Sequence, residues 1–286
     1  MKIYLTGATG AIGSAIAKKI PNSVCLVRKK SGLKNEIVSD FSDRELQSLL
    51  RDADVVLHFA GSLEFDNPKK LIETNVELTK RVVAATPKKA KIIYAGSISV
   101  YGKQPINGAI NEETPVKPDS VYAETKLEAE KIVLAHGNAI SLRIAAVYSP
   151  KIPVYKKMLE LVKKKKLPIL GKGANRLAFI SAEDIAIVVE NAIDAPSGVY
   201  VICGESLLQE EIYKIASELL NVPPPKIHVP IILAKIIGTF GLFPKEYIAF
   251  LTSDRVFDSS KARRDLNFSP RPLRKGLGEL IKELNL

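Results

Sequence analysis

Tyr122 and Lys126 stand four residues apart in the stretch PDSVYAETKLEAEKIVL, whose spacing predicts a helix from about Tyr122, so their side chains share one face. A phenol with its ordinary pKa of about 10 is a poor acid or base near neutrality, but a neighbouring ammonium stabilises the phenolate. Such a pair can exchange a proton with a hydroxyl or carbonyl oxygen. Ser97 ends the apolar run KIIYAGS, which reads as a strand, and the carboxyl end of a parallel strand is where ligands collect. Its hydroxyl can bond the same oxygen and hold negative charge as it develops. Together the three side chains suit hydride transfer at a carbon that bears oxygen.

Hydride transfer needs a cofactor, and the first residues offer a cradle for one. The run KIYLTG passes directly into GATGAIG and then into the helical pattern AIGSAIAKKI. Gly7 suits a tight turn, Gly10 lets the backbone approach a pyrophosphate, and Gly13 lets helix and strand pack closely, with the helix N-terminus supplying free N–H groups and a positive dipole. The spacing is GxxGxxG, not GxGxxG; Thr9, Ala11 and Ile12 complete the loop as candidate cofactor contacts.

The second strand, SVCLV, ends in Arg28, Lys29 and Lys30 instead of the acid that would accept from the ribose hydroxyls of NAD. A guanidinium pairs with a 2′-phosphate and stacks on adenine, so NADP is expected in preference to NAD, with Arg28 and Lys29 as its contacts. A basic surface turn in a basic protein is the plainer alternative. Asp40, with Phe41 beside it, suits the adenine amino group; Asp40 or Ser42 equally suits the N-cap of the helix that SDRELQSLL predicts.

These groups must be positioned by a parallel sheet. KIYLTG, SVCLV, EIVSD, DVVLHFAG, KIIYAGS and ISLRIAAVY alternate with helical patterns, which predicts an α/β fold: a Rossmann doubly wound parallel sheet with helices on both faces. GVYVIC follows the helical AEDIAIVVENAI, so the sheet is expected to gain a late strand from the second half. The expected division is a dinucleotide-binding domain over residues 1–150, also receiving about 181–204. A smaller, interleaved C-terminal substrate-binding lobe takes most of 151–286, and QEEIYKIASELL and LRKGLGELIKEL read as its helices.

Composition narrows the class. The 286 residues can bury a large core, and Cys25 and Cys203, the only cysteines, lie in apolar runs, as buried reduced thiols do in a cytoplasmic protein. MKIYLTG lacks the apolar region and cleavage site of a secretory signal. The net charge of +11 does not imply nucleic acid, because Lys163–Lys166 is the one tight basic run and has no interleaved aromatics. PIILAKIIGTFGLFP, from Pro230 to Pro244, is shorter than a membrane span and carries Lys235, so a pocket-lining or surface helix is expected and no integral span. His58 reads as a core histidine, and no spacing of His, Cys and carboxylates suggests a metal.

In order and content these pieces resemble the extended short-chain dehydrogenase/reductase family, also called the NAD-dependent epimerase/dehydratase family. GATGAIG is similar to its cofactor loop and HFAG to its fourth-strand motif. TNVELTK resembles the stretch whose asparagine, here Asn75, braces the central strand at the cofactor site. AGSISVYG resembles the segment with the catalytic serine, which selects Ser97 over Ser99, and LRIAAVYSP and NRLAFISAEDIA resemble later motifs. The resemblance implies that Tyr122 is the acid/base, that Lys126 binds the nicotinamide ribose and tunes Tyr122, and that Ser97 orients the substrate oxygen. It places Phe59, Ala60 and Gly61 along the adenosine and pyrophosphate, and Ala145, Ala146 and Val147 near the nicotinamide. It also implies a homodimer.

Relatives of this kind act on nucleotide sugars, steroids, flavonoids or small ketones. Ile98 and Ser99 stand where sugar dehydratases carry an acid pair, which disfavours dehydration. The expected small-molecule substrate is a nucleotide sugar, epimerised or oxidised and reduced at a carbinol or carbonyl carbon. A hydrophobic ketone or alcohol is the alternative, and a non-catalytic NADP-binding redox sensor the reading from another class. Retention of Tyr122 with Lys126 and Ser97 favours catalysis.

Overall fold

The structure is a computed structural model that describes residues 1–103, 108–234 and 245–286. Most of the expected apolar helix at Pro230–Pro244 therefore lies outside the described residues.

The central strand runs of the first half are largely apolar because they are covered on both faces. Every residue of β1 (Ile3–Thr6), β4 (Val55–His58) and β6 (Ala139–Ile144) is buried, as is all but two of β5 (Lys91–Ser97). Only a sheet between two helical layers buries such runs. With β2 (Val24–Val27), β3 (Glu36–Val38) and β10 (Gly198–Ile202) they form a seven-stranded sheet ordered β10-β6-β5-β4-β1-β2-β3, parallel at every pairing. The late strand expected from the sequence is present, and it joins at the edge beside β6.

The layers are helices α1 (Ala11–Lys19), α2 (Asp43–Leu50), α3 (Pro68–Leu71), α4 (Leu78–Ala85), α5 (Val121–Leu134) and α7 (Ala182–Ala192), with α6 (Pro153–Lys163) in the second lobe. Between α3 and α4 the backbone widens into a π-turn, Ile72–Glu77. Nothing in the apolar spacing of that stretch signals it.

One expectation is corrected at the end of the sixth strand. ISLRIAAVY reads as one run, but the chain leaves the large sheet at Ala145, whose N–H bonds Ile202 O at 2.9 Å. Residues Ala146–Tyr148 form a separate strand, β7. It pairs with β9 (Arg176–Ser181), which follows the short β8 (Ile169–Leu170), and β9 pairs antiparallel with β11 (Ser206–Leu208). This three-stranded sheet, α6, α8 (Gln209–Leu219) and the C-terminal helix Leu273–Glu283 enclose a second core built on Tyr148, Tyr155, Phe179, Tyr213 and Leu277. No helix among the described residues is long and apolar enough to cross a membrane.

Candidate active site

The glycine loop fits a phosphate-bearing ligand for a reason visible at each glycine. Gly7 opens the turn after β1 at φ +76°, and a Cβ there would meet the Phe59 carbonyl at 2.5 Å. A Cβ on Gly13 would lie 2.0 Å from Gly7 O, so α1 can seat on the turn only without one. Gly10 differs: a Cβ would meet only Gly7 O, at 3.3 Å, and the residue borders a cavity of about 630 Å³. Gly10 is also the N-cap of α1 and offers no side-chain cap, the first turn holds no acid, and Lys18 and Lys19 close the last turn. This helix end is electropositive and open to an anion.

The far part of the same cavity is formed by β5 and α5. Ser120 caps α5 by accepting the Ala123 N–H at 3.2 Å, which fixes the helix one residue before Tyr122. The Tyr122 ring meets Phe65 edge to face, with centroids 5.2 Å apart. Lys126, one turn on, is buried, and its ammonium lies 4.4 Å above the ring of Tyr94. Burial pulls the Lys126 pKa down to about 7 against the opposing charge of Glu130. Burial also raises the Tyr94 phenol well above its ordinary pKa. Ser97 ends β5, and its Oγ accepts the Ser99 N–H at 3.2 Å, which leaves its hydroxyl proton to donate elsewhere.

His58 is fully buried, and its imidazole is held by hydrogen bonds on both ring nitrogens. Thr79 Oγ1 donates to Asn75 O at 2.7 Å, so toward His58 Nε2, 2.9 Å away, it can only accept. The imidazole therefore carries its proton on Nε2, and Nδ1 accepts from Thr6 Oγ1 at 2.8 Å. Thr6 Oγ1 in turn accepts the Ala60 N–H at 3.2 Å. Burial, helped by nearby Lys126, lowers the His58 pKa to about 3 and keeps the ring neutral. The chain of bonds ties the loop after β4 to the π-turn that carries Asn75. Asn75 Oδ1 accepts the Ser62 N–H at 2.8 Å and Nδ2 donates to Thr125 Oγ1 at 3.1 Å, so it braces the loop beyond β4 against α5, not the strand itself.

Of the residues expected from sequence, Gly7, Gly10, Ala11, Ile12, Gly13, Phe59, Gly61, Asn75, Ser97, Tyr122, Lys126, Ala145, Ala146 and Val147 border this one cavity. Thr9 and Ala60 adjoin it in the chain without bordering it. Arg28 and Lys29 are exposed beyond β2, outside the cavity wall. Asp40 also lies outside that wall and accepts the Ser42 N–H at 2.7 Å, so its carboxylate shapes the entry to α2. Ser42 is the N-cap of α2 but makes no side-chain cap bond. The Phe41 side chain is buried with Leu26, Leu46 and Val82, and Arg81 occupies its carbonyl at 3.1 Å.

The wall also contains residues that sequence spacing leaves unmarked, among them Phe65, Lys103, Asp119, Lys151 and Arg255. They sit in irregular segments or at element ends, where no periodicity reports which way a side chain turns.

The family model for the NAD dependent epimerase/dehydratase family matches residues 3–203. A trifunctional UDP-glucose 4,6-dehydratase/UDP-4-keto-6-deoxy-D-glucose 3,5-epimerase/UDP-4-keto-L-rhamnose-reductase of Arabidopsis thaliana is 26% identical over 66% of this chain. The chain spans 34% of that enzyme's length. The uncharacterized UDP-glucose epimerase YtcB of Bacillus subtilis is 25% identical, with 100% of this chain and 98% of that protein covered. Among solved structures, a UDP-glucuronic acid 4-epimerase from Bacillus cereus in complex with NAD superposes with a TM-score of 0.79 at 23% identity, covering 100% of both chains.

Proposed function

This chain belongs to the NAD dependent epimerase/dehydratase family, and from that premise we propose that it moves a hydride at a carbinol or carbonyl carbon of a nucleotide sugar, with epimerisation or oxidoreduction as the net result. The observation that carries the reading is the single cavity bordered by the open glycine turn and by Ser97, Tyr122 and Lys126. A nicotinamide dinucleotide bound there supplies the hydride acceptor and donor. Tyr122 exchanges the proton of the substrate oxygen. The Ser97 hydroxyl, whose Oγ is already held by Ser99 N–H, donates to the same oxygen and steadies its developing charge. Lys126 favours the phenolate of Tyr122 through its positive charge and would hold the ribose of a bound dinucleotide.

NADP is the preferred dinucleotide in this reading, and NAD is accommodated. Its support is Arg28, exposed at the end of β2, where no carboxylate stands to accept from an adenosine ribose. The relative solved with NAD leaves this preference to direct measurement. Buried free cysteines at 25 and 203 suit a cytoplasmic setting, and the working form is a homodimer.

The deciding experiment is a thermal-shift screen with UDP, dTDP and GDP in the presence of NADP or NAD. Stabilisation by at least one nucleotide beyond that given by the dinucleotide is the expected outcome. No response to any of them would sink the nucleotide-sugar reading and turn attention to hydrophobic ketones.

A further inference from the structure

Arg255 follows the helix Lys245–Leu251 and enters the cavity wall, anchored by its backbone N–H to Arg176 O at 3.3 Å. Its Nε is buried and has no hydrogen-bond partner among the described residues. Leaving a guanidinium donor unpaired inside a protein is costly, and native structures nearly always supply an acceptor. The carboxylate whose charge acts on it, Asp119, is committed elsewhere. Asp119 Oδ2 accepts the Lys103 N–H at 2.8 Å, and Oδ1 lies 3.8 Å from Lys103 Nζ.

The surroundings point the same way. The charged side chains in the described wall are Lys103, Lys126, Lys151, Arg255 and one acid, Asp119, so the cavity carries surplus positive charge. Asp119 and Ser120 lie just before α5, which puts Arg255 on the side of the cavity where the helix of Tyr122 starts. Its planar donors match a carboxylate or a phosphate far better than a neutral hydroxyl.

We propose that Arg255 is the receptor for an oxyanion carried by the substrate, supplied either by the diphosphate of a nucleotide or by a carboxylate on the sugar. The proposal rests on the nucleotide-sugar reading above and deepens it. Arg255 selects an anionic substrate, and its Nε finds in that substrate the acceptor the protein withholds.

The test titrates UDP, UDP-glucose and UDP-glucuronate into the full chain saturated with NADP, comparing wild type with Arg255→Met, and with Arg255→Gln as a second variant that keeps a polar group. Loss of about tenfold or more in affinity is expected, the usual weight of a charge-assisted hydrogen bond. A loss shared by all three ligands assigns the diphosphate; a loss confined to UDP-glucuronate assigns the sugar carboxylate. If either variant melts at the wild-type temperature and binds all three within about twofold of wild type, the receptor is overturned while the nucleotide-sugar reading stands. If wild type binds no nucleotide, that reading fails, and pyrophosphate and free glucuronate decide the receptor. Binding that the variants lose upholds it, and no binding by wild type overturns it.

Discussion

Glu130 stands one helical turn beyond Lys126, yet both of its carboxylate oxygens are taken by Arg143, at 2.7 Å from Nη2 and 3.1 Å from Nε. Ser141 Oγ adds a third bond at 2.8 Å, and Arg143 Nη1 continues the network to Tyr101 Oη at 2.8 Å. Lys126 therefore feels Glu130 as a nearby charge without the close pairing that would cancel the cost of its own burial, and its pKa falls to about 7.

The pH dependence of stability follows with a definite sign. The folded pKa of Lys126, about 7, lies below its unfolded value, so the unfolded chain binds more protons between the two. Buried Lys126 costs stability in full below pH 7, and that cost fades as pH rises toward the unfolded pKa. In urea unfolding, Lys126→Met should be more stable than wild type by a margin that shrinks with rising pH. A margin constant from pH 6.5 to pH 10 would contradict the depressed pKa.

Cofactor binding should take up protons at pH 8, where free Lys126 is mostly neutral and an anionic dinucleotide favours the ammonium. Calorimetry in buffers of different ionisation enthalpy reads this directly. The uptake should approach one proton per site and vanish in Lys126→Met; an enthalpy independent of buffer in wild type would refute it.

Glu130→Gln leaves the buried Arg143 guanidinium without its counter-charge. A loss of about 3–5 kcal/mol in unfolding free energy is expected. Because Glu130 holds the Lys126 pKa up, the same variant should move the pH dependence described above to lower pH. A stability change with no such movement would show that Glu130 serves the fold alone.

The glycines of the loop should separate by role. Gly13→Ala drives a Cβ onto Gly7 O and should lower the melting temperature as well as cofactor affinity. Gly10→Ala meets only a mild contact and should cost at most about 1 kcal/mol of stability while still weakening the dinucleotide. Equal melting temperatures for the two variants would contradict this division.

Tyr122→Phe keeps the edge contact with Phe65 and removes only the phenolic oxygen. Turnover on a substrate found by the nucleotide screen should fall by about 10²–10⁴, with dinucleotide affinity retained. Unchanged turnover would dismiss Tyr122 as the acid/base.

The frame of this site was legible in the residues because its rules are local. Six fully or largely buried strand runs, a glycine turn between strand and helix, and a four-residue spacing on one helix each have a short-range cause. The break at Ala145 was not legible, because whether an apolar run continues in one sheet or steps to another depends on Ile202, far away in sequence. The cushion that Tyr94 makes under Lys126 escaped for a similar reason. In a strand buried on both faces, alternation carries no message about which side a ring takes. Arg255 lies in a segment with no period at all, and only the fold reveals that it borders the cavity with a buried, unpartnered Nε.

The single-residue step at Ala145 also governs how the molecule melts. The chain crosses from the large sheet to the small one there, returns through α7 into β10, and crosses again to β11 within Cys203–Glu205. Neither sheet can unravel without pulling strands from the other, so heat should produce one cooperative transition seen alike by every probe. Damage in the outer lobe then registers in the whole. A methyl added at Gly276, which would fall 1.8 Å from the Tyr148 hydroxyl, should lower the melting temperature of the dinucleotide cradle along with that of the lobe it crowds.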